Sequence, residues 1–400
     1  MSSAVKASLQ SQLSSRKFSN AQFSNVLSGF QLSRLAEASQ KQRSWLDIQK
    51  GELLAPVLVP RQIGSPGYRA AQGLIVDTLG KLGYAISWDN FTASTPAGNV
   101  KMANIIATRN PSAAKRLVLS AHYESKVMTD GDFVGATDSA VPVALMLDVA
   151  RGLADKIDQL TSRDLSLQLI FFDGEEAYHE WTATDSIYGA RHLADIWEKG
   201  PDSATVAALG GTAQHVPELQ RVELMVLLDL IGASTTAFVA LELPTADLFI
   251  QLGKLEKRLH SAGHISRTYM NMTVQPGSNN IADDHIPFVQ RDIPVMHLIS
   301  VPFPEVWHTL DDNAKALDPR VIADMSIILR SFVARDKADP QELEPLSEEK
   351  SEADIADDDV SDNSNNNDDA ILAGDGPDHQ EASNFPGTGR AVLSDIDWST

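Results

Sequence analysis

A chain of 400 residues with 43% hydrophobic content can bury one large core or two modest ones, and without cysteine it holds neither disulfides nor thiolate ligands, so His, Asp and Glu are its only strong metal ligands. The formal net charge of -21 is uneven: residues 336–400 carry 19 acidic and 3 basic residues, against 35 acidic and 30 basic over residues 1–335. A body this nearly balanced excludes the basic footprint of a nucleic-acid binder and the Lys/Arg cluster of a membrane-surface protein, and no apolar run approaches the ~20 residues needed to cross a bilayer.

Along the chain, the first ten residues lack the apolar core of a secretory signal, so none is expected. The sequons Asn90-Phe91-Thr92 and Asn271-Met272-Thr273 are too short to fix a compartment, which stays open. Apolar periodicity predicts helices over 20–38 and 68–82, then strands over 85–91 and 103–108 as a hairpin-like pair and a strand over 117–120. A helix over 141–156 is well marked: Asp138 and Ser139 can cap it, and Pro142 falls in its first turn, where a missing N–H costs nothing. Strand 167–172, helix 187–198, strand 224–228, helix 245–262, strand 295–299 and helix 319–333 continue the alternation. This pattern predicts one α/β domain over 1–335, with a central mixed, largely parallel twisted sheet flanked by helices. Residues 336–400 have too few apolar groups and too much self-repulsion to offset the entropy of ordering, which predicts a disordered acidic tail. Its last piece, 391–398, mixes acidic and apolar residues and could dock on an unknown partner; otherwise it is an unstructured end.

Several strands run straight into ionisable residues. Leu117–Ala121 is followed by His122, Ile170–Gly174 by Glu175 and Glu176, Met225–Leu228 by Asp229, and Val295–Ile299 leads through a Pro-rich loop to Trp307 and His308. Parallel neighbours would bring these ends together, and Asp138 sits at the same kind of strand-to-helix edge, where ligands bind in open α/β sheets. Taken singly, His122 or His308 is an ordinary histidine, Asp138 a helix cap, Asp229 a turn residue, and Glu175 with Glu176 a solvated loop. Taken together they are the donors that a hard or borderline metal ion requires. A cation also explains the adjacent glutamates: one can bind it while its neighbour stays a free base, and spacing does not say which. His297, inside an apolar strand, reads as core; His179 and His285 remain unassigned.

The segments Gly135–Pro142, Phe171–Ala177, Asp185–Ala194, Leu227–Ala233, Asp283–Phe288 and Pro302–Thr309 together resemble the glutaminyl cyclases, or glutaminyl-peptide cyclotransferases, over about residues 20–334. The resemblance implies a zinc exopeptidase-like fold and one zinc per chain held by Asp138, Glu176 and His308. It implies Glu175 as general acid/base, Asp229 and Asp283 as its hydrogen-bonded partners, and a pocket lined by Trp181, Ile281, Phe303 and Trp307. The implied reaction closes the N-terminal glutamine of a peptide or protein to pyroglutamate with loss of ammonia, and glutamate more slowly. Relative to the family, Ala121 and Val143 stand where many animal members carry a disulfide, Glu124 where an aspartate is usual, and Ala282 where a glutamine is common. Two alternatives stand beside this one. A two-zinc aminopeptidase would add His122 and Asp229 to a bridging Asp138, and a non-catalytic binding protein would use the scaffold alone.

Overall fold

The computed structural model describes residues 26–157, 165–200, 217–274 and 281–334. The expected acidic tail, the domain boundary at 335 and the first residues of the helix predicted from Asn20 lie outside them. The described residues form eight strands: β1 (Ala85–Thr95), β2 (Gly98–Thr108), β3 (Lys115–His122), β4 (Leu165–Phe172), β5 (Val222–Asp229), β6 (Phe238–Ala240), β7 (Met270–Val274) and β8 (Val295–Ile299). Six of them form one sheet in the order β1-β2-β4-β3-β5-β8. β1 and β2 pair antiparallel, as does β2 with β4, whereas β4, β3, β5 and β8 run parallel. The sheet is therefore mixed and largely parallel, as expected. β6 and β7 form a separate parallel pair that periodicity missed, because three residues are too few to show a period and Asn271 and Thr273 interrupt the other strand.

Every residue of β4 is buried, as a parallel strand covered on both faces requires. Alternation divides the central strands between two apolar layers. Leu117, Leu119, Leu167, Leu169, Leu224, Val226 and Leu228 join the larger core, while Val118, Ile170, Phe172, Met225 and Val295 join a smaller one on the other side. The larger layer is closed by α1 (Gly29–Gln42), α2 (Pro66–Lys81), α3 (Val141–Gly152), α5 (Ala246–Ser261) and α6 (Pro319–Ala334); α4 (Tyr188–Lys199) closes the smaller.

Helix starts follow local capping. α1 begins at Gly29, later than predicted, because Ser28 and Gln31 form a reciprocal capping box, with Ser28 N–H donating to Gln31 Oε1 at 2.8 Å and Gln31 N–H to Ser28 Oγ at 3.2 Å. α2 starts at Pro66 behind Ser65, whose Oγ accepts from Tyr68 N–H at 3.0 Å. α3 is buried on all sides from Val141 to Ala150, and its one charged member there, Asp148, accepts from Arg330 and from Ser326 Oγ of α6. The helix beside the strand edge is thus fixed from behind by a satisfied polar contact. Among the described residues no helix is long and apolar enough to cross a membrane.

Candidate metal centre

The parallel registers bring the carboxyl ends of β3, β4, β5 and β8 to one edge: His122 lies opposite Phe172, and Asp229 opposite Ile299. β4 turns through Asp173-Gly174-Glu175-Glu176. Gly174 has φ +69°, and a Cβ there would lie 2.6 Å from Met102 Sδ, so the turn requires glycine. Asp173 anchors it, with Oδ2 accepting from Tyr68 Oη–H at 2.5 Å and from Ala103 N–H at 2.6 Å. Glu124 Oε1 accepts the backbone N–H groups of Glu175 (2.6 Å) and Glu176 (3.2 Å). Ile187 and Tyr188 N–H donate to the carbonyls of Glu175 and Gly174, each at 2.7 Å. With the backbone held on both sides, the two glutamate side chains can serve different ends.

Glu176 faces His308, whose Nε2 lies 3.4 Å from Glu176 Oε1 and 3.5 Å from Asp138 Oδ2. A tetrahedral zinc with bonds of ~2.0–2.1 Å separates its ligand atoms by about 3.3 Å, so both distances from His308 suit the ion, and the three donor atoms all lie within 4.8 Å of one another. Glu176 Oε1 is moreover buried with no hydrogen-bond partner, a state that a bound cation would relieve. The other oxygen, Oε2, accepts from Lys126 Nζ at 3.0 Å. Burial alone would raise the Glu176 pKa, but His308 and Lys126 hold it down to about 2. Burial pushes Glu175 well above the ordinary carboxylate range, and Glu176, Asp283 and Asp284 add to the effect against the pull of His122. The adjacent glutamates therefore differ in kind: the proton affinity of Glu176, beside the candidate cation site, is lowered, and that of Glu175 is raised.

Asp138 and Ser139 do not cap α3 as expected. They lie in a wide turn, Ala136–Ala140, with non-helical backbone, and their side chains reach across the sheet edge instead. Asp138 Oδ1 lies 2.9 Å from His122 Nε2, and Ser139 Oγ donates to Asp229 Oδ1, which also accepts Leu230 N–H at 2.8 Å. Pro142 does occupy the first turn. Asp283 Oδ2 lies 2.7 Å from His297 Nε2, so His297 is buried as predicted yet also orients a candidate site carboxylate. His285 stands 4.4 Å from His297, ring to ring, and its Nε2 lies 3.5 Å from Glu242. His179 is exposed and belongs to none of these clusters. The Glu175 carboxyl makes no hydrogen bond to Asp229 or Asp283, contrary to what the resemblance implied; Asp283 acts on it through charge, and Asp229 is engaged by Ser139.

Trp307 stacks on His308 with ring centroids 4.0 Å apart, Phe303 meets Trp307 edge-on at 4.9 Å, and Phe133 meets His308 edge-on at 6.3 Å. Trp307 is still 39% exposed and presents an aromatic wall beside His308. Trp181 is half-buried against the smaller core with Phe288 and Ile187, and Ile281, also half-buried, precedes Asp283 by two residues. Residues that strand-end reasoning missed and that act on the two glutamates are Glu124 and Lys126, through hydrogen bonds, and Asp284, through its charge. Glu124 and Lys126 follow His122 within four residues, so a rule extending each strand end by a few positions would have included them.

Residues 104–333 match the model of peptidase family M28. The chain is 44% identical over 294 residues to the glutaminyl-peptide cyclotransferase of Bos taurus, covering 70% of this chain and 79% of that protein. It is 39% identical over 293 residues to the protein of that name from Drosophila melanogaster, covering 70% and 78%. Among solved structures, the glutaminyl cyclase of Macrostomum lignano superposes with a TM-score of 0.66 at 38% identity, over 78% of this chain and 96% of that one. A leucine aminopeptidase precursor from Bacteroides thetaiotaomicron shares the fold, with a TM-score of 0.55 at 18% identity over 78% and 99%. The aminopeptidase likeness reaches the fold alone, whereas the cyclotransferase likeness extends through the sequence, and the chain therefore belongs to peptidase family M28, among its glutaminyl-peptide cyclotransferases.

Proposed function

We propose that this protein is a glutaminyl-peptide cyclotransferase that uses one zinc ion, held by Asp138, Glu176 and His308, to close N-terminal glutamine to pyroglutamate. The observation that carries this reading is the meeting of three donors, with His308 Nε2 at 3.4 Å from Glu176 Oε1 and 3.5 Å from Asp138 Oδ2, beside a Glu175 whose proton affinity is raised. When bound, zinc supplies Lewis-acid polarisation of the γ-carbonyl oxygen. Glu175 takes a proton from the substrate's α-amino group as that nitrogen bonds to the γ-carboxamide carbon, then delivers it to the departing nitrogen as the C–N bond breaks and ammonia leaves. A carboxyl with raised proton affinity suits both halves of the transfer. Asp283, oriented by His297, keeps that affinity high through its charge.

Nucleophile and electrophile belong to one residue, so the positioning task is to hold the single conformation in which the α-amino nitrogen faces the γ-carboxamide carbon. Phe303 and Trp307 supply apolar surface beside His308 that excludes water and restricts the short side chain, and we assign Trp181 and Ile281 to the same pocket wall. A single zinc is supported by the donors of the alternative second site, which already engage one another: Asp138 Oδ1 with His122, and Asp229 Oδ1 with Ser139 and Leu230. The test is incubation of a Gln-initiated peptide with the protein, following loss of one ammonia by mass spectrometry with and without a chelator. Zinc-dependent loss is expected. Release of the first residue from a leucyl peptide, with two zinc ions per chain, would replace this reading with the aminopeptidase one.

A further inference from the structure

Arg61 has no solvent exposure at all. A guanidinium so placed ordinarily faces a carboxylate, because an unpaired buried charge costs several kcal/mol. Here the whole fork ends on backbone. Nε donates to Tyr123 O at 2.9 Å; Nη1 donates to Val57 O (2.6 Å), Val59 O (3.1 Å) and Val134 O (2.7 Å); Nη2 donates to Gly135 O at 3.2 Å. The main chain of Arg61 adds to the lacing. Its N–H donates to Ser125 Oγ at 2.8 Å, its carbonyl accepts Ser125 N–H at 3.3 Å, and Ser125 Oγ in turn donates to Phe133 O at 3.1 Å.

Two of the segments joined in this way, 123–125 and 133–135, have no regular structure of their own, yet both lead directly into the site. Tyr123 follows His122 and precedes Glu124, which holds the backbone of Glu175 and Glu176. Gly135 stands three residues before Asp138, in a turn so tight that a Cβ on it would lie 2.0 Å from Asp138 O. A displacement of the Gly135 carbonyl therefore passes to Asp138 with little slack. Only a planar fork of five donors can take this many carbonyls from three directions; an ammonium cannot. The charge also has an electrostatic purpose, since the anions Glu124, Asp138 and Asp312 act on it. Although burial draws its pKa down to about 10, Arg61 remains a cation at neutral pH.

We propose that Arg61 is a positioning residue of the metal site: by gripping the Tyr123 and Val134–Gly135 carbonyls it sets where Asp138 stands relative to Glu176 and His308, and its charge offsets the repulsion among the carboxylates gathered there. The inference rests on Asp138 being a zinc ligand, and the experiment separates the two. In the full-length protein, Arg61→Lys, Arg61→Met, Ser125→Ala and Asp138→Asn are compared by circular dichroism and thermal unfolding. Zinc affinity of the apo-protein is then measured by competition with a chromogenic chelator, well below each unfolding temperature, together with the visible spectrum of the cobalt-loaded form. Folded Arg61→Lys is expected to bind zinc ~10–100-fold more weakly, with an altered cobalt spectrum. Arg61→Met should bind more weakly still, and Ser125→Ala should lose a smaller, severalfold amount. Wild-type zinc affinity and cobalt spectrum in folded Arg61→Lys, with only a lower unfolding temperature, would reduce Arg61 to a structural residue and overturn the proposal. If both Arg61 variants fail to fold, Ser125→Ala decides on the same two readouts. Loss of zinc by Asp138→Asn with unchanged Arg61 variants defeats the positioning role alone, whereas full affinity in Asp138→Asn defeats the ligand assignment and the inference with it.

Discussion

Glu176 is held near pKa 2 by His308 and Lys126, while burial and neighbouring carboxylates push Glu175 well above the usual range. Replacing each residue of this site should therefore fail in its own way. Glu175→Gln is expected to retain stoichiometric zinc after dialysis yet lose ~10²–10⁴-fold in kcat, the usual worth of a positioned acid/base. His308→Ala is expected to bind zinc at least ~100-fold more weakly, because it removes one vertex of the donor triangle. Elemental analysis of zinc beside steady-state kinetics on a Gln-initiated peptide checks both; wild-type turnover in Glu175→Gln would sink the division of roles. The residue types of this site were legible in the sequence, since strand ends followed by His, Asp and Glu are a local pattern. Which glutamate faces His308 was given by the family resemblance and not by spacing, because 132 positions separate Glu176 from that histidine and only the strand order closes the gap.

At the scale of elements, the turn after β4 is the piece on which the site depends. Gly174→Ala places an L-residue at φ +69°, which costs ~1–2 kcal/mol, and drives its Cβ into Met102. Denaturant unfolding should show that loss, and turnover should fall further than the stability change alone explains, because Glu175 and Glu176 ride on the turn. Adding Met102→Ala should relieve the steric share only; full recovery of both stability and turnover would show that the left-handed backbone is not needed. Glu124 offers a second test. Glu124→Gln keeps an acceptor for the Glu175 and Glu176 N–H groups and should stay within a few-fold of wild type, whereas Glu124→Leu leaves two buried donors unpaired at ~1–3 kcal/mol each. Equal kcat in the two variants would remove Glu124 from the support of the turn. The element pattern itself was readable, from the hairpin of β1 and β2 to α6, because the two apolar periods are local. The Asp138–Ser139 cap was misjudged for a physical reason: both side chains found stronger partners across the sheet, His122 and Asp229, than the first turn of α3 could offer.

For the whole molecule, burial draws the pKa of His285 down to about 3 and that of His297 down to about 4. The unfolded chain protonates both near pH ~6.5, so each contributes stability that is fully present above that pH and lost as the pH falls toward its folded value. His285→Gln should thus be destabilised at pH 7.5, with a deficit that shrinks below pH 6.5 by up to ~1.4 kcal/mol per pH unit. Urea unfolding at pH 7.5 and pH 5 measures this, and a deficit independent of pH would mean that the histidine is not kept neutral. Zinc adds a second global term. Free metal at 100-fold its Kd stabilises the fold by ~2.7 kcal/mol, so a chelator should lower the Tm of wild type and leave His308→Ala unmoved.

The succession of the six main-sheet strands and the six long helices, the uneven charge and the donor types at the strand ends were legible in the sequence alone, because periodicity and side-chain chemistry act over a few residues; β6 and β7 were not. Tertiary structure decided the rest. The parallel registers of β3, β4, β5 and β8 bring His122, Glu175, Asp229 and the loop of His308 to one edge. Long-range contacts make His297 the partner of Asp283 and bring the Tyr123 and Gly135 carbonyls onto the Arg61 guanidinium. Their roles rest on distances between residues far apart in the chain, and no local pattern encodes such distances.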